Sequence, residues 1–396
     1  MPASRTVVIA GAGIGGLAAS LSLAARDFRV VVFEAAERLD PIGAGIQLSP
    51  NASRILIAMG LEDQLKPHVV CPEDLLVRTA RTGQVLARTP LGKAVEQYYG
   101  APYWVIHRGD LQTALIQAAS VSPNIELRLG TKIDTFTAHD RGIMLEVSRG
   151  MSVTLDDGDA LICADGLWSS LRRQLGHHKT PKFANHTAWR ALIPADAAPA
   201  EMRAPAVNLW IGHNAHLVHY PVKGGTMINV VAILRDEWNE PGWSSSGLRR
   251  DVLDRFSAHA WHAATRDLLK ACEHWQKWAL FDYAPVRRWG RGPITLLGDA
   301  AHPMLPYLAQ GAAMAIEDAA VLGKWLGLAP DDIPGALRRY EQARLNRTAK
   351  VQRAARRNGF VYHMGRHEAL LGALARFTMG GDKLVRRYDW LYGWQA

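Results

Sequence analysis

Four glycines and one carboxylate carry the sharpest chemical signal in this chain. Gly11, Gly13 and Gly16 are spaced G-x-G-x-x-G within GAGIGG, with Gly15 between them, and Glu34 follows about 20 residues on, the separation a dinucleotide fingerprint needs. The first glycine permits a tight turn, the second lets a pyrophosphate approach the backbone, and the third lets helix and strand pack closely. A helix beginning there favours the phosphate charge. A carboxylate at Glu34, with Ala35 beside it, can accept both hydroxyls of an adenosine ribose. The pattern reads as an adenine dinucleotide site without separating NAD from FAD.

A second constellation bears on that choice. Leu296–Pro303 reads LLGDAAHP and is followed by Gln310–Asp318, QGAAMAIED. A strand ending in Gly-Asp can place Asp299 against a polyol hydroxyl. A helix starting near Gly311 and Ala312 would aim free N–H groups at an electron-rich carbonyl edge. Reduced flavin carries negative charge at such an edge and a ribityl chain beside it, whereas a nicotinamide dinucleotide has neither. FAD is therefore the expected cofactor, and a nicotinamide-only dehydrogenase is the second reading.

The elements that must position these residues are legible nearby. Thr6–Ala10 (TVVIA) has the β-branched run of a buried parallel strand. Leu17–Arg26 reads as a helix and Val30–Glu34 as a second buried strand, together a βαβ unit. Further on, Val207–Ile211, His216–Val222 and Met227–Leu234 alternate like strands of an antiparallel sheet, with a turn signal at Lys223-Gly224-Gly225. Ile294–Leu297 returns to a buried strand, and Gly311–Leu326 and the stretch after Ile333 are helical by periodicity. The expected fold is α/β: a Rossmann-like FAD-binding domain (1–179, resuming at 291–330), an inserted, mostly antiparallel β-sheet substrate domain (180–290) and a C-terminal helical region (331–396).

Composition adds limits. Apolar residues make up 48% and charged residues 21% of the 396, ordinary for a globular protein. No apolar run has the ~20 residues needed to span a bilayer, and the N-terminus lacks a leader pattern, so a cytoplasmic protein without stable membrane insertion is expected. Cys71, Cys163 and Cys272 form no CxxC, and no metal site is expected. The net charge of +9 comes from scattered basic residues, dense only at Arg344–Arg357. That density reads as a solvated helix face rather than a nucleic-acid arm. The positive field would help draw in anionic ligands.

Residues Cys163–Arg172 read CADGLWSSLR. With the glycine fingerprint and GDAAHP they resemble the single-component flavoprotein aromatic hydroxylases, the p-hydroxybenzoate hydroxylase family. The three motifs fall in the family's order and the likeness spans nearly the whole chain. Gly43–Asn51 (GAGIQLSPN), Gly100–Leu111 (GAPYWVIHRGDL), His216–Pro221 (HLVHYP) and Asp389–Trp394 (DWLYGW) are similar, within that family, to enzymes hydroxylating 3-hydroxybenzoate, 6-hydroxynicotinate and salicylate.

The resemblance implies an NADH- or NADPH-driven, O₂-dependent monooxygenase that hydroxylates a small phenolic or hydroxypyridine carboxylic acid. In such enzymes the reduced flavin adds O₂ as a C4a-hydroperoxide, whose distal oxygen attacks the ring. By the same resemblance Gly13, Gly15 and Glu34 hold the ADP half of FAD, and Arg108 reaches the pyrophosphate and ribityl region. Ile133 contacts adenine through its backbone. Asp165 serves both FAD and NAD(P)H, with a helix-cap role for Ser169–Leu175 as the plainer alternative. Asp299 binds the ribityl chain, Gly311 and Ala312 meet the ring, and Pro303 lines the reaction face.

Activating the ring calls for a base or hydrogen-bond partner near the substrate hydroxyl. His216 and Tyr220 are the candidates, because a spacing of four puts both on one strand face and His219 on the other. Without the resemblance, a satisfied sheet histidine is the better reading of His216. Tyr103, Trp104 and Tyr307 are candidates for the pocket wall. Gln47 stands where several relatives carry His or Arg beside the ring, and Pro306 and Tyr307 stand where relatives show His or Gln. These departures bear on the substrate, not on FAD. Two other readings are a redox-dependent interaction module, for which the chain shows no added binding segment, and a quinone-pathway or other non-carboxylate hydroxylase. The Trp/Tyr tail reads as core or dimer packing, which leaves a homodimer open.

Overall fold

The computed structural model describes residues 5–39, 44–238, 245–257, 259–363 and 385–396. Its first layer is a five-stranded parallel sheet in the order Ile294–Leu296, Ala160–Cys163, Thr6–Ala10, Arg29–Phe33, Ile125–Arg128. Strands of such a sheet are buried on both faces and read as continuous apolar runs; Val7, Val8 and Ile9 are all fully buried. The helices Ile14–Ala24, Arg108–Ser120 and Gly311–Leu328 pack around it. The sheet's last strand comes from the far end of the sequence, which brings the Gly-Asp motif beside the glycine turn.

The second large layer is an eight-stranded sheet in the order Ser245–Gly247, Trp275–Asp282, Lys182–Pro194, Met227–Arg235, Ala215–Val222, Ala206–Gly212, Asp74–Thr79, Val85–Pro90. It is antiparallel except where Ala206–Gly212 runs parallel to Asp74–Thr79. The span 180–290 accounts for six of its strands. The hairpin 74–90 joins them from a segment that the sequence alone placed in the nucleotide-binding part. That hairpin has no local mark of its allegiance, since strand pairing is a long-range property. A three-stranded antiparallel sheet (Lys132–His139, Gly142–Arg149, Ser152–Gly158) and a two-stranded ribbon (Gly45–Leu48 with Trp104–His107) complete the β-structure among the described residues.

The two faces of the eight-stranded sheet have different partners. One packs under the helices Arg249–Arg255 and Ala263–Ala271 through Trp189, Leu217, Val230, Ala232, Trp261 and Leu268. The other, the inner face, meets the nucleotide layer through Val207, Tyr220, Val222, Tyr103 and Met314. Side chains alternate along a strand. Leu217 therefore faces outward, and His216, Val218 and Tyr220 face inward. His219 stacks against outward-facing Trp210, with centroids 6.4 Å apart, and burial beside Arg78 pushes its pKa down to about 3.

The C-terminal region begins with the 30-residue helix Ile333–Tyr362, capped by Asp332 accepting from Gly335 N–H at 2.9 Å. Its Arg-rich stretch is a solvated face only in part: Lys350, Arg353 and Arg357 are exposed, but the stretch also turns basic residues inward. Arg344 is fully buried, donating to Glu317 at 2.5 Å and to Asp318 at 2.7 Å. Periodicity marks which residues share a face, not whether the facing helix carries acids. The tail is used inside the fold: Trp394 lies over the Arg344 and Arg347 guanidiniums at 5.0 and 4.7 Å, and Leu391 and Tyr392 are buried. Among the described residues no helix is long and apolar enough to cross a membrane.

Candidate active site

The glycine turn shows two kinds of glycine. Gly11 has φ +105, and a methyl group there would sit 2.6 Å from the Ala164 carbonyl oxygen. At Gly16 it would collide with the Gly11 carbonyl. Gly15 packs against Leu297 and Ala315, so it joins the glycine turn to the Gly-Asp motif. Gly13 differs: a methyl there meets nothing within 4 Å. The backbone is open where a pyrophosphate would approach the helix start. Glu34 is held by Ala12 N–H at 2.8 Å and Ala36 N–H at 2.9 Å, one to each carboxylate oxygen. Each oxygen keeps a lone pair for a ribose hydroxyl. Ala35 beside it is exposed.

Ile133 lies close to this end by a backbone route. Thr131 N–H donates to Glu34 O at 2.8 Å and Gly130 N–H to Ala36 O at 2.9 Å. The Ile133 side chain is buried in the core, so it could meet a ligand only through its backbone.

Three charged groups converge here from distant segments. Arg108 starts its helix and is partly buried; burial lowers its pKa while the Asp299 charge raises it. Asp299 is exposed on one side and enclosed by chain on its others. Burial lifts its carboxyl above the usual range, opposed by His302, Arg108 and Arg172. Asp165 is likewise lifted by burial, and its Oδ1 is buried without a partner among the described residues. The cap of helix Ser170–Gln174 is Ser169, accepting from Arg172 N–H at 2.9 Å. Asp165 Oδ2 receives only a long bond from Leu171 N–H at 3.4 Å, so the plainer cap reading goes to Ser169. An orphaned carboxylate oxygen suits a hydroxyl-rich ligand. Arg172, unassigned from the sequence, ties the two motifs together. It donates to Ala300 O at 3.0 Å and Leu167 O at 2.7 Å and stacks over Tyr283 at 4.3 Å.

At the helix Gly311–Leu328 a methyl on Gly311 again meets nothing within 4 Å, so there is open space beside the helix start, whose first N–H groups have no intrahelical acceptor. A buried polar network fixes this helix start. Gln310 donates to Ser49 at 2.9 Å, and Asn51 donates to Gln310 at 3.2 Å and Glu317 at 2.7 Å. Glu317 also takes Arg344 and Arg347, while Asp318 takes Arg344, His302 at 2.6 Å and Gly298 N–H at 3.0 Å. Burial would raise the Asp318 carboxyl, but His302 and Arg344 outweigh it and hold it low. The acids of the helix are thus neutralised locally, and its N-terminus keeps its positive end for an electron-rich ring. Sequence reasoning quoted Asn51, Glu317 and Asp318 without assigning them. Their signal was polar residues inside apolar helix runs.

The facing sheet supplies the other wall. Tyr103 donates to Gln47 at 2.6 Å. Tyr220 lies against Gly45, where a methyl would come within 2.6 Å of its ring, and Asn229 accepts from Gly45 N–H at 2.7 Å. Trp104 departs from its expected place on the pocket wall. It points to the opposite side of its strand from Tyr103 and packs in the nucleotide-layer core, as alternation requires.

His216 and Tyr220 share the inner face, but four residues of strand separate them by about 13 Å. His216 sits in a ring cluster with Tyr307 (5.6 Å), Tyr362 (5.4 Å) and His363 (4.9 Å), and His186 stacks on His363 at 4.3 Å. The Tyr307 hydroxyl is buried without a partner among the described residues. Pro303 is buried, its carbonyl accepting from Gln352 at 2.8 Å. His363 Nδ1 lies 2.7 Å from Gly359 O, which only accepts, so Nδ1 is the protonated nitrogen of His363. Burial and the neighbouring rings hold His216 well below its ordinary pKa and His363 at about 4. Neutral His363 then accepts through Nε2 from His216 Nδ1–H at 3.0 Å, and the lone pair of His216 falls on Nε2. Among the described residues no group of three or more His, Cys, Asp or Glu is placed to hold a metal ion.

Over nearly its whole length this chain is similar to known proteins. The chain is 36% identical over 402 residues to a 3-hydroxybenzoate 6-hydroxylase of Polaromonas naphthalenivorans, covering 100% of this chain and 97% of the relative. It is 35% identical to a 6-hydroxynicotinate 3-monooxygenase of Pseudomonas fluorescens, covering 91% and 93%. A solved salicylate hydroxylase substrate complex superposes with a TM-score of 0.82 at 26% identity, covering 100% and 97%. Residues 4–355 match the FAD binding domain family, and the chain belongs to that family.

Proposed function

We propose that this protein is an FAD-dependent monooxygenase that uses NADH or NADPH and O₂ to hydroxylate a small phenolic or hydroxypyridine carboxylic acid. The observation that carries this reading is the convergence of the three motifs. The strands Thr6–Ala10, Ala160–Cys163 and Ile294–Leu296 lie side by side and lead into the glycine turn, Asp165 and Asp299, with Arg108 near Asp299, open space beside Gly13 and Gly311, and the apolar and aromatic inner face of the large sheet packed against this layer.

Gly13 and Glu34 would hold the ADP half of FAD, Asp299 and Arg108 its middle, and the helix start at Gly311 and Ala312 the ring. Bound there, FAD would supply the activated oxygen. The protein's own part is positioning and charge. His216 Nε2 is an acceptor for the proton of a ring hydroxyl, and Nδ1 is tied to His363 so that this tautomer persists. Tyr220 and Tyr103 fix Gln47 at the other end of the pocket. The apolar and aromatic lining excludes water, which strengthens each of these contacts. The formal charge of +9 favours approach of anionic aromatic acids and of NAD(P)H.

The test is direct. Purified protein is expected to be yellow and to oxidise NADH or NADPH faster when hydroxybenzoates, salicylate or hydroxynicotinates are added, with a hydroxylated product. Colourless protein that cannot be reconstituted with FAD would overturn the reading.

A further inference from the structure

Arg190 is a half-buried cation that has no counter-ion among the described residues. Its strand, Lys182–Pro194, turns Trp189, Ala191 and Ile193 to the outer face and Ala188 and Leu192 to the inner one, so Arg190 points inward. Strand register fixes its level. Arg190 pairs across Val231 with Val218, midway between the row holding His216 and the row holding Tyr220. Its guanidinium lies over the Trp278 ring at 5.0 Å. Nε is buried with no hydrogen-bond partner, and no carboxylate among the described residues pairs with it. Burial lowers its pKa, opposed by the neighbouring Tyr220, and the Arg108 charge adds to the lowering.

A desolvated guanidinium beside a second cation is costly unless an anion accompanies it. Arg344 meets that requirement with Glu317 and Asp318, and Arg172 is satisfied by the Ala300 and Leu167 carbonyls. The planar fork suits a carboxylate in two-point contact, and the Trp278 face beneath it restricts its orientation. The open partner position faces the same space as His216 and Tyr220.

We propose that Arg190 is the anchor for the substrate's carboxylate, holding the acid group while the ring hydroxyl is presented to the His216–Tyr220 side. This rests on the hydroxylase reading above and adds what selects an acid over a neutral phenol. Its test uses FAD-loaded protein titrated with 3-hydroxybenzoate, salicylate and 6-hydroxynicotinate and with their neutral carboxamides, binding being followed by the flavin absorbance change. Wild type is expected to bind at least one acid about tenfold or more tighter than its amide, as a charge-assisted bidentate contact would give. Arg190→Gln should abolish that preference, and Arg190→Lys should restore part of it. FAD content and the melting midpoint report folding separately. An unchanged acid-to-amide ratio in Arg190→Gln overturns the anchor alone. Loss of FAD affinity in that variant also overturns it, because it assigns the guanidinium to the cofactor. Wild type that binds none of these probes overturns the hydroxylase reading and the anchor with it.

Discussion

The nucleotide end of the site is built from backbone, whereas the substrate end is built from side chains drawn from separated stretches of chain. At the first, Gly11, Gly13, Gly16 and Glu34 lie within one βαβ unit, and their work is done by N–H groups and by the space left where side chains are missing. At the second, Gln47 and Tyr103 come from the ribbon, Arg190, His216 and Tyr220 from the large sheet, and Tyr307 and His363 from the C-terminal half. The first is a local solution to binding a phosphate, fixed by steric rules. The second depends on long-range register, and its work is done by side chains whose type the backbone does not dictate. A scaffold of this kind can keep its cofactor while changing its substrate.

The contrast can be broken most severely at Gly16. A methyl there collides with the Gly11 carbonyl, and the helix cannot shift without displacing its start. Gly16→Ala should yield protein without bound FAD, measured by absorbance after purification; normal FAD content would show that the close approach is dispensable. Next is Arg344, which couples the two ends through Glu317, Asp318 and the Gln310–Asn51–Ser49 chain. Arg344→Met removes the buried cation that Glu317 and Asp318 share, leaving them to Arg347 and His302, a loss of about 3–5 kcal/mol. Denaturant unfolding should show it, with weaker FAD binding because the helix start at Gly311 loses its support. Unchanged stability would mean the network is not a structural link.

What was legible from the sequence follows the same division. The glycine turn, the Gly-Asp loop and the CADGLWSSLR segment are local, and the strands that lead into them, Thr6–Ala10, Ile294–Leu296 and Ala160–Cys163, lie side by side in one parallel sheet. Alternation also put His216 and Tyr220 on one face and His219 on the other. It could not say that Trp104 would turn away from Tyr103, because that depends on which side of a two-stranded ribbon meets which core. Nor could it show that Arg344 is buried, since its acids lie on another helix. The hairpin 74–90 joined a sheet whose other strands start about a hundred residues later.

The mildest perturbation is the most informative about the substrate end. His216→Ala should lower hydroxylation about 10²-fold or more, as loss of a general base does, with FAD content retained; full coupled turnover would remove His216 from the mechanism. His363→Leu is subtler, because it spares the candidate base and removes only the acceptor that fixes its tautomer. A net hydrogen bond of about 1 kcal/mol corresponds to a several-fold fall in kcat, with KM for NAD(P)H unaffected. The pH dependence separates this from simple damage. His363 titrates at about 4 in the fold against about 6.5 when unfolded, so the unfolded chain binds more protons between those values. Stability contributed by keeping this ring neutral is therefore present above pH 6.5 and is lost as pH falls toward 4. His363→Leu should reduce the slope of stability against pH in that window by up to one proton. An acid limb identical to wild type would show that His363 does not titrate as the cluster requires, and the fixed tautomer of His216 would lose its support.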